Sequence, residues 1–439
     1  DGVAETAKCG GTGRKTFARS VCQAVRAARM NGGETEKRTA VMIVARRLDD
    51  VQSGSGQYLL AYLALCRAQG FEVTLIFAPQ RSFGNLAWSR VHPDVLAVAD
   101  HVDWARTMRV AGHYVSTSPK VWAGFVHRLG REAIRILRRL RATPYPSKLG
   151  AGLSEAEAAV TIARAKQIAP DAVTAEYSSL APLLDAFPEQ NRLVLLHDLF
   201  SLRAQNFMSQ GLEPDHVVLS LQEEAQRCEA AHVLIHASCT ERDAFQHALP
   251  RATHVWMRPK VPVFATTADR PEDICAVFIG SKHAGNDWAL AYLRAAVWPL
   301  VRQRVPSAKL HIIGSIGDTI PQEDAAREGL TVFGAVPDLV AAVSRNAVGL
   351  APMDLGSGIP IKIMDYLGLG LPVVATTATV LPFGHDLNGI VATADTPDQF
   401  AEQVTQFLQS DDLRHAASEA GQAALGRLVN IELAEILAK

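Results

Sequence analysis

The stretch "GSGIPIKIMDYLGLGLPVVATTA" (Gly356–Ala378) combines glycines, one lysine, one aspartate and an apolar run. Pro360 suits the first turn of a helix, because its fixed φ matches the helix and its missing N–H has no partner there. We expect a helix that starts near Ile359 or Pro360 and ends at Gly370. The β-branched run that follows predicts a buried strand at Pro372–Ala375.

The predicted helix has two unlike sides at 100° per residue. We expect one side to be apolar (Ile361, Ile363, Met364, Leu367) and the other to carry Lys362, Asp365 and Tyr366. The glycines before the helix allow close approach of a ligand, and a helix N-terminus beside Lys362 favours an anion. The alternative is an exposed ion pair of Lys362 with Asp365, worth about 0.2–0.5 kcal/mol.

Short apolar runs alternate with helical patterns on both sides of residue 262. Runs without polar alternation predict parallel strands that are covered on both faces, and hence an α/β fold. The first series comprises Val41–Ala45, Glu72–Phe77, Ala172–Glu176, Leu193–Leu196 and His232–His236. The second comprises Ala276–Ile279, Leu310–Ile313, Thr331–Phe333, Val348–Ala351 and Pro372–Ala375.

The pattern divides the chain into two doubly wound domains that face each other across a cleft. The segment Trp256–Asp273 has prolines and no period, which indicates a linker. We predict a basic, flexible arm at residues 1–38, a first domain at 39–262 and a second at 263–439. The last helix is expected to cross back to the first domain. Open parallel sheets bind ligands beyond the carboxyl ends of their strands.

Composition excludes several classes of protein. The 44 basic and 45 acidic side chains nearly cancel, so no overall field indicates a nucleic-acid partner. The six cysteines are scattered without a CxxC pair, which favours a reducing, cytoplasmic setting. No run approaches the roughly 20 apolar residues of a membrane span, and the N-terminal segment lacks the pattern of a signal-peptide core.

The segment Lys120–Arg141 carries seven Lys or Arg residues against one Glu, with apolar residues at helical spacing. It predicts a basic amphipathic helix. One interpretation is a surface helix of the α/β layer. The other is contact with an anionic membrane surface or a lipid-linked substrate, which would place a cytoplasmic protein at the inner face of the membrane.

Taken whole, Gly356–Ala378 resembles the donor-site signature of retaining glycosyltransferases of the GT-B fold, in particular the large family 4 (glycosyl transferases group 1). The segments Val277–Ser315 and Gly329–Met353 resemble the rest of that family's nucleotide-sugar domain, over about residues 275 to 425. Leu193–Phe207 resembles a strand end of its acceptor domain. The resemblance implies transfer of a sugar from a nucleoside diphosphate sugar to a hydroxyl acceptor, in polysaccharide or glycoconjugate assembly.

The resemblance implies roles for the signature residues. Lys362 matches the lysine that meets the donor diphosphate, and Asp365 matches the second of two glutamates and would accept hydrogen bonds from the ribose. Ser357 stands where the family places the first glutamate, so this chain carries Ser and Asp instead of Glu and Glu. His197, at the end of a predicted strand, would contact the transferred sugar from the acceptor side. The alternative is that His197 and Asp198 merely cap a helix that begins near Ser201.

Further candidates for donor binding lie in loops after predicted strands. They are Gly54, Gly56, Ser281, Lys282, Val336, Ser357, Gly358 and Ile359. An ordinary turn explains Gly54 and Gly56 nearly as well. The histidines His232, His236 and His254 are expected to be core or surface residues.

No cofactor beyond the nucleotide-sugar co-substrate is expected. No His, Cys or Asp cluster has the spacing of a metal site, which predicts a transferase without an essential metal. The acceptor could be a saccharide, a lipid-linked compound or a protein hydroxyl. Two alternatives remain: a sugar-nucleotide epimerase or hydrolase of the same fold, and a catalytically weak donor-binding subunit.

Overall fold

A computed structural model describes residues 38–51, 53–138, 148–259, 263–264, 270–352 and 357–438. Several predictions fall outside these residues: the basic arm before residue 38, the end of the basic segment from residue 139, parts of the linker, and the turn at Gly356. Within the described ranges, no helix combines the length and apolar character that a membrane span requires.

The first domain contains a seven-stranded sheet and a small antiparallel sheet. Its strands are β1 (Arg38–Val44), β2 (Phe71–Phe77), β3 (Trp88–Ser89), β4 (His101–Trp104), β5 (Thr107–Val110), β6 (His113–Ser116), β7 (Ala172–Glu176), β8 (Arg192–Leu196), β9 (Val233–His236) and β10 (Thr253–Trp256). The large sheet has the order β10-β9-β8-β7-β1-β2-β4, and its neighbouring strands pair in parallel. The small sheet has the order β3-β6-β5.

Helices cover both faces of the large sheet, which is why its strands are apolar on both sides. The helices of this domain are α1 (Gly54–Ala68), α2 (Pro93–Val98), α3 (Pro119–Leu137), α4 (Glu155–Ile168), α5 (Phe200–Ser209), α6 (Leu221–Arg227) and α7 (Cys239–Ala248). The helix predicted over Lys120–Arg141 is thus α3, one residue earlier at its start and shorter at its end.

The second domain repeats the architecture with a six-stranded parallel sheet of order β13-β12-β11-β14-β15-β16. Its strands are β11 (Cys275–Ile279), β12 (Leu310–Ile313), β13 (Leu330–Gly334), β14 (Ala347–Ala351), β15 (Val373–Ala375) and β16 (Ala392–Thr393). Its helices are α8 (Ala284–Tyr292), α9 (Trp298–Arg304), α10 (Gln322–Glu328), α11 (Leu339–Ala342), α12 (Ile361–Gly368), α13 (Thr377–Val380), α14 (Pro397–Gln409) and α15 (Asp411–Arg427). The two sheets confirm the predicted fold of two doubly wound domains.

The final helix, α16 (Ile431–Ala438), packs against the first domain. Its Leu433 and Leu437 are buried in the core around β1 and α1. Just before it, the Asn430 side chain accepts a hydrogen bond from the Arg258 N–H (2.7 Å) and donates one to the Arg258 carbonyl (3.1 Å). The final helix is therefore held by the first domain.

The signature helix is α12, with Pro360 as its N-cap residue. Its apolar side is buried as predicted, but the prediction that Tyr366 shares the polar side is wrong. The Tyr366 side chain is fully buried, and its hydroxyl accepts from the Ile279 N–H (2.9 Å) and donates to the Leu350 carbonyl (3.1 Å). Satisfying both hydrogen-bonding roles of the hydroxyl lets an aromatic ring enter the core beside Gly349.

Candidate active site

The carboxyl ends of the two sheets face each other across a cleft that encloses a cavity of about 530 Å³. Its lining comes from loops after β1, β7, β8 and β9 on one side and after β11, β12, β13 and β14 on the other. This is where open parallel sheets bind ligands, and the volume suits a small organic molecule.

Two glycine turns form the floor on the side of the second domain. Gly280 follows β11 and Gly314 follows β12, and both line the cavity. Gly314 has φ +105°, and a Cβ there would lie 2.1 Å from the Gly280 carbonyl oxygen. Only glycine permits this backbone contact, which opens the floor to a bulky ligand.

Lys362 projects into the cavity from the first turn of α12. Its Nζ donates to the Asn286 Oδ1 (2.6 Å) and lies 4.8 Å from the centre of the Phe278 ring. Asn286 in turn donates from Nδ2 to the Ser281 carbonyl (2.8 Å). The buried amide therefore fixes a cation beside the loop after β11, where it can bind an anion.

Asp365 lies one helical turn after Lys362 and also lines the cavity. It is half-buried, as is Lys362, so both keep a face toward the cleft. A carboxylate in this position can accept hydrogen bonds from ligand hydroxyls.

His197 lies on the opposite wall, directly after β8, and is nearly fully buried. Its Nε2 lies 2.9 Å from the Glu176 Oε1, and the same carboxylate accepts from the Arg46 Nε at 2.9 Å. Burial alone would raise the pKa of Glu176, but Arg46 and His197 outweigh it and lower the pKa to about 2. Glu176 is thus a carboxylate that orients the imidazole.

Capping of α5 does not explain His197 and Asp198. The backbone N–H groups of Phe200 and Ser201 donate instead to the carboxylate of Glu224, at 3.1 and 2.8 Å. The alternative interpretation of this motif as a helix cap is therefore wrong, because a residue 26 positions after Asp198 supplies the acceptor.

The loop before α12 contacts the first domain directly. The Gly358 N–H donates to the Glu241 Oε1 (2.7 Å), and the Ser357 Oγ donates to the Leu199 carbonyl (3.3 Å). Gly358 has φ +77°, and a Cβ there would lie 2.4 Å from the His197 carbonyl oxygen. Burial and then Asp198 raise the pKa of Glu241 to about 8.

The predicted donor-binding positions divide into two groups. Gly54, Ser281, Val336, Ser357 and Ile359 line the cavity, as do His197, Lys362 and Asp365. Gly56, Lys282 and Gly358 are not among its lining residues.

The surroundings of these three residues show where they lie instead. Gly56 lies against the backbone of Val51, where a Cβ would approach to 2.6 Å. Lys282 is exposed and contributes its backbone N–H to the Ser315 hydroxyl (3.0 Å). Gly358 is enclosed between Glu241 and the His197 backbone.

Several residues of the site escaped prediction because their partners are distant in sequence. They are Arg46, Glu176, Tyr177, Glu241 and Asn286. Tyr177 carries the one available signal, an aromatic residue directly after a predicted strand; it lines the cavity with φ +64° and packs its ring 4.6 Å from that of His197.

Among the described residues, no group of three or more His, Cys, Asp or Glu side chains is arranged to hold a metal ion.

Residues 273–410 match the sequence model of a family described as glycosyl transferases group 1. The structure is similar to sucrose-phosphate synthase from Thermosynechococcus elongatus, with 13% identity, coverage of 91% of this chain and 96% of that chain, and a TM-score of 0.56. It is also similar to Anabaena HepE in complex with UDP, with 13% identity, coverage of 91% and 97%, and a TM-score of 0.53.

The match to TarM has a TM-score of 0.50 and 13% identity, and covers 64% of this chain. It covers 57% of the TarM chain, so this chain spans little more than half of that protein. A comparison with curated proteins finds no significant match. The structural likenesses establish the fold of the two domains and their cleft.

Proposed function

Because residues 273–410 belong to the glycosyl transferases group 1 family and the chain has the GT-B fold, we propose that this protein is a retaining glycosyltransferase. It moves a hexosyl group from a nucleoside diphosphate sugar to a hydroxyl acceptor, without a metal ion. The observation that carries the proposal is the Lys362 ammonium, held by Asn286 at the start of α12 inside the cleft.

The donor lies on the side of the second domain. Lys362 neutralises the charge that grows on the diphosphate as the glycosidic bond breaks, a form of electrostatic stabilisation that is often the largest catalytic contribution. Asp365 accepts hydrogen bonds from the ribose, and the turns at Gly280 and Gly314 admit the nucleotide. Ser281, Val336, Ser357 and Ile359 complete the donor wall. The complex of HepE with UDP supports a uridine nucleotide as the first donor to examine.

The transferred sugar lies between Lys362 and His197. His197 contacts it from the first domain, with its ring fixed by Glu176. Attack on the same face as the departing diphosphate, through an oxocarbenium-like transition state, gives retention without a protein nucleophile.

A thermal-shift panel of nucleoside diphosphates and their sugars tests donor binding. A ligand at 100 times its dissociation constant stabilises a protein by about 2.7 kcal/mol. We expect a shift with at least one member and its loss in Lys362→Ala. Lys309→Ala removes an exposed lysine of the same domain and should keep the shift. No shift with any member would refute donor binding.

The reaction itself is tested with the donor that binds. Transfer to an acceptor with retained anomeric configuration, read by NMR of the product, is the expected result. Release of free sugar or of an epimer, without transfer to any acceptor, would replace the proposal with a hydrolase or epimerase. Donor binding without turnover would indicate a donor-binding subunit.

We further propose that α3 contacts an anionic membrane surface at the cytoplasmic face. None of its residues is buried, and the exposed side chains Val126, Leu129 and Ile136 follow one another at helical spacing. The other side of the helix carries four basic residues and one acidic residue: Lys120, Arg128, Arg131, Arg135 and Glu132. An apolar stripe flanked by basic residues is the pattern of an interfacial helix.

Sedimentation with vesicles tests this contact. We expect binding to vesicles that contain anionic lipid, weaker binding to zwitterionic ones, and loss of binding in the double variant Leu129→Glu/Ile136→Glu. Both side chains are at least half exposed, so the fold should persist. Leu413→Glu changes a comparably exposed leucine of α15 and serves as the control. Equal, negligible binding to both vesicles would refute the contact.

A further inference from the structure

The wall of the first domain that faces the donor side is defined here as the acceptor wall: Tyr58, Tyr177, His197, Asp198, Arg203 and Phe207. Building on the proposed function, we propose that this wall binds an uncharged polyol or saccharide through its hydroxyl groups and disfavours sugar phosphates. The proposal rests on a buried carboxylate oxygen without a hydrogen-bond partner, an arginine paired with two carboxylates, and the aromatic lining.

The first step concerns hydrogen-bond acceptors. His197 Nδ1 and Asp198 Oδ1 are buried atoms without a hydrogen-bond partner. The Asp198 Oδ1 belongs to a carboxylate that can only accept, so it needs a donor from the ligand. Buried polar atoms without partners are costly, so their presence in cavity-lining residues indicates that a ligand completes them.

The Asp198 carboxylate selects the ligand by its protons. A hydroxyl group donates its proton to the Asp198 Oδ1. A phosphate that is fully ionised presents only acceptor oxygens, which repel the charge of Asp198. A sugar hydroxyl therefore matches this oxygen, whereas a phosphate does not.

The second step concerns the cation of the wall. Arg203 is the one Arg or Lys among the described lining residues of the first domain. It donates to the Asp198 Oδ2 (2.9 Å) and, through two nitrogens, to both oxygens of Asp215 (3.2 and 2.9 Å). Burial alone would lower the pKa of Arg203, but the two carboxylates outweigh it and raise the pKa. Arg203 is thus paired with two carboxylates, one of which also lies 3.0 Å from the His216 Nδ1, so its guanidinium is already neutralised before a phosphate could bind.

The third step concerns ring contacts. Tyr177 and Phe207 line the same wall, and the Tyr177 ring packs 5.4 Å from that of Phe200, which holds it in place. Aromatic faces suit the C–H faces of a sugar ring, and a hydroxyl at the ring edge then reaches Asp198. Aromatic faces combined with a hydrogen-bond acceptor are typical of a site for saccharides rather than for anions.

The test is binding of a library of neutral saccharides and glycosides and of their phosphorylated counterparts to the protein saturated with UDP, read by ligand-observed NMR. We expect at least one neutral member to bind and to bind at least tenfold more tightly than its phosphate. Preference for a phosphorylated member, or binding of no neutral member, would overturn the proposal. If UDP itself does not bind, the donor proposal fails instead, because Lys362 and not the acceptor wall is responsible for that step.

Two variants and a control separate the contributions. In Asp198→Asn we expect at least a tenfold loss of affinity for the neutral saccharide, with unchanged UDP affinity. In Asp215→Asn, Arg203 keeps Asp198 as its one carboxylate partner, and the discrimination against the phosphate should fall at least threefold. Asp398→Asn alters an exposed ion pair on α14 and should change neither quantity. Unchanged saccharide binding in Asp198→Asn and unchanged discrimination in Asp215→Asn would each refute the proposed contacts.

Discussion

The carboxyl group of Glu241 in the first domain accepts a hydrogen bond from the backbone N–H of Gly358 in the second, over 2.7 Å. The other oxygen of Glu241 is buried without a partner. The loop that carries the donor-site signature is thus attached to the opposite domain by a group whose protonation depends on pH.

Stability should fall as pH rises through the titration of Glu241. Burial, and then the charges of Asp198 and Glu224, raise its pKa to about 8, and Tyr58 is a further titratable neighbour. Since the unfolded carboxyl has a pKa near 4.5, the folded protein holds an extra proton between pH 4.5 and 8, and stability declines across that window. Urea unfolding from pH 5 to pH 9 should show this decline in the wild type and a weaker one in Glu241→Gln. Parallel profiles of the two proteins would contradict the assignment.

Removal of the Asn286 side chain should weaken donor binding. Asn286→Ala removes the 2.6 Å acceptor of the Lys362 ammonium, so the cation is held less firmly beside the loop after β11. A hydrogen bond to a charged group contributes about 1.5–3 kcal/mol, which corresponds to roughly a tenfold to hundredfold loss of affinity. Calorimetry with UDP measures the effect. Asn388→Ala, at an exposed asparagine, should retain wild-type affinity, and equal affinities of the two variants would refute the role of Asn286.

A side chain at position 314 should disturb the floor of the cleft. In Gly314→Ala the new Cβ meets the Gly280 carbonyl oxygen at 2.1 Å, in a backbone conformation with φ +105°. We expect the two turns to separate, with a loss of at least 1–3 kcal/mol of stability from backbone strain alone. Gly389→Ala is the matched control, because it has φ +70° but open space around its Cβ. Similar losses in urea unfolding of both variants would show that the contact with Gly280 is unimportant.

The hydroxyl of Tyr366 should contribute measurably to stability. Tyr366→Phe keeps the ring but leaves the Ile279 N–H and the Leu350 carbonyl without their partner. A buried group without its partner costs about 1–3 kcal/mol. Tyr292→Phe, at a ring stacked on Trp288 and partly exposed, should change stability by far less. Urea unfolding of both variants measures the difference, and no loss in Tyr366→Phe would contradict the prediction.

Much of the fold follows from local pattern. The apolar runs around Val41, Leu193 and Val348 lie in strands, since buried parallel strands need no alternation. The small antiparallel sheet of β3, β5 and β6 escaped prediction because its strands are short and partly exposed, as at Met108 and Val110. The prediction placed Tyr366 on the polar side of the helix, because helical spacing cannot show that its hydroxyl has two backbone hydrogen-bond partners in the core.

The site was predictable to the extent that its residues follow strands. His197 and Lys362 each stand near a strand end, so sequence position placed both at the cleft. Glu176, by contrast, is 130 residues from Arg46, and Glu241 is 117 residues from Gly358. No local sequence pattern predicts such pairings. The first pairing arises when the first domain folds, and the second when the two domains meet.

The pairing of Asn430 with Arg258 has a mechanical consequence. The polypeptide passes between the domains twice, once after β10 and once before α16, and the two passages are hydrogen-bonded to each other at this point. The domains are therefore joined by two adjacent segments of the chain. Removal of the final helix would leave one connection that is anchored in both domains and would expose the site of Leu433 in the core of the first domain. The final eight-residue helix thus supplies the second link between the two walls of the cleft.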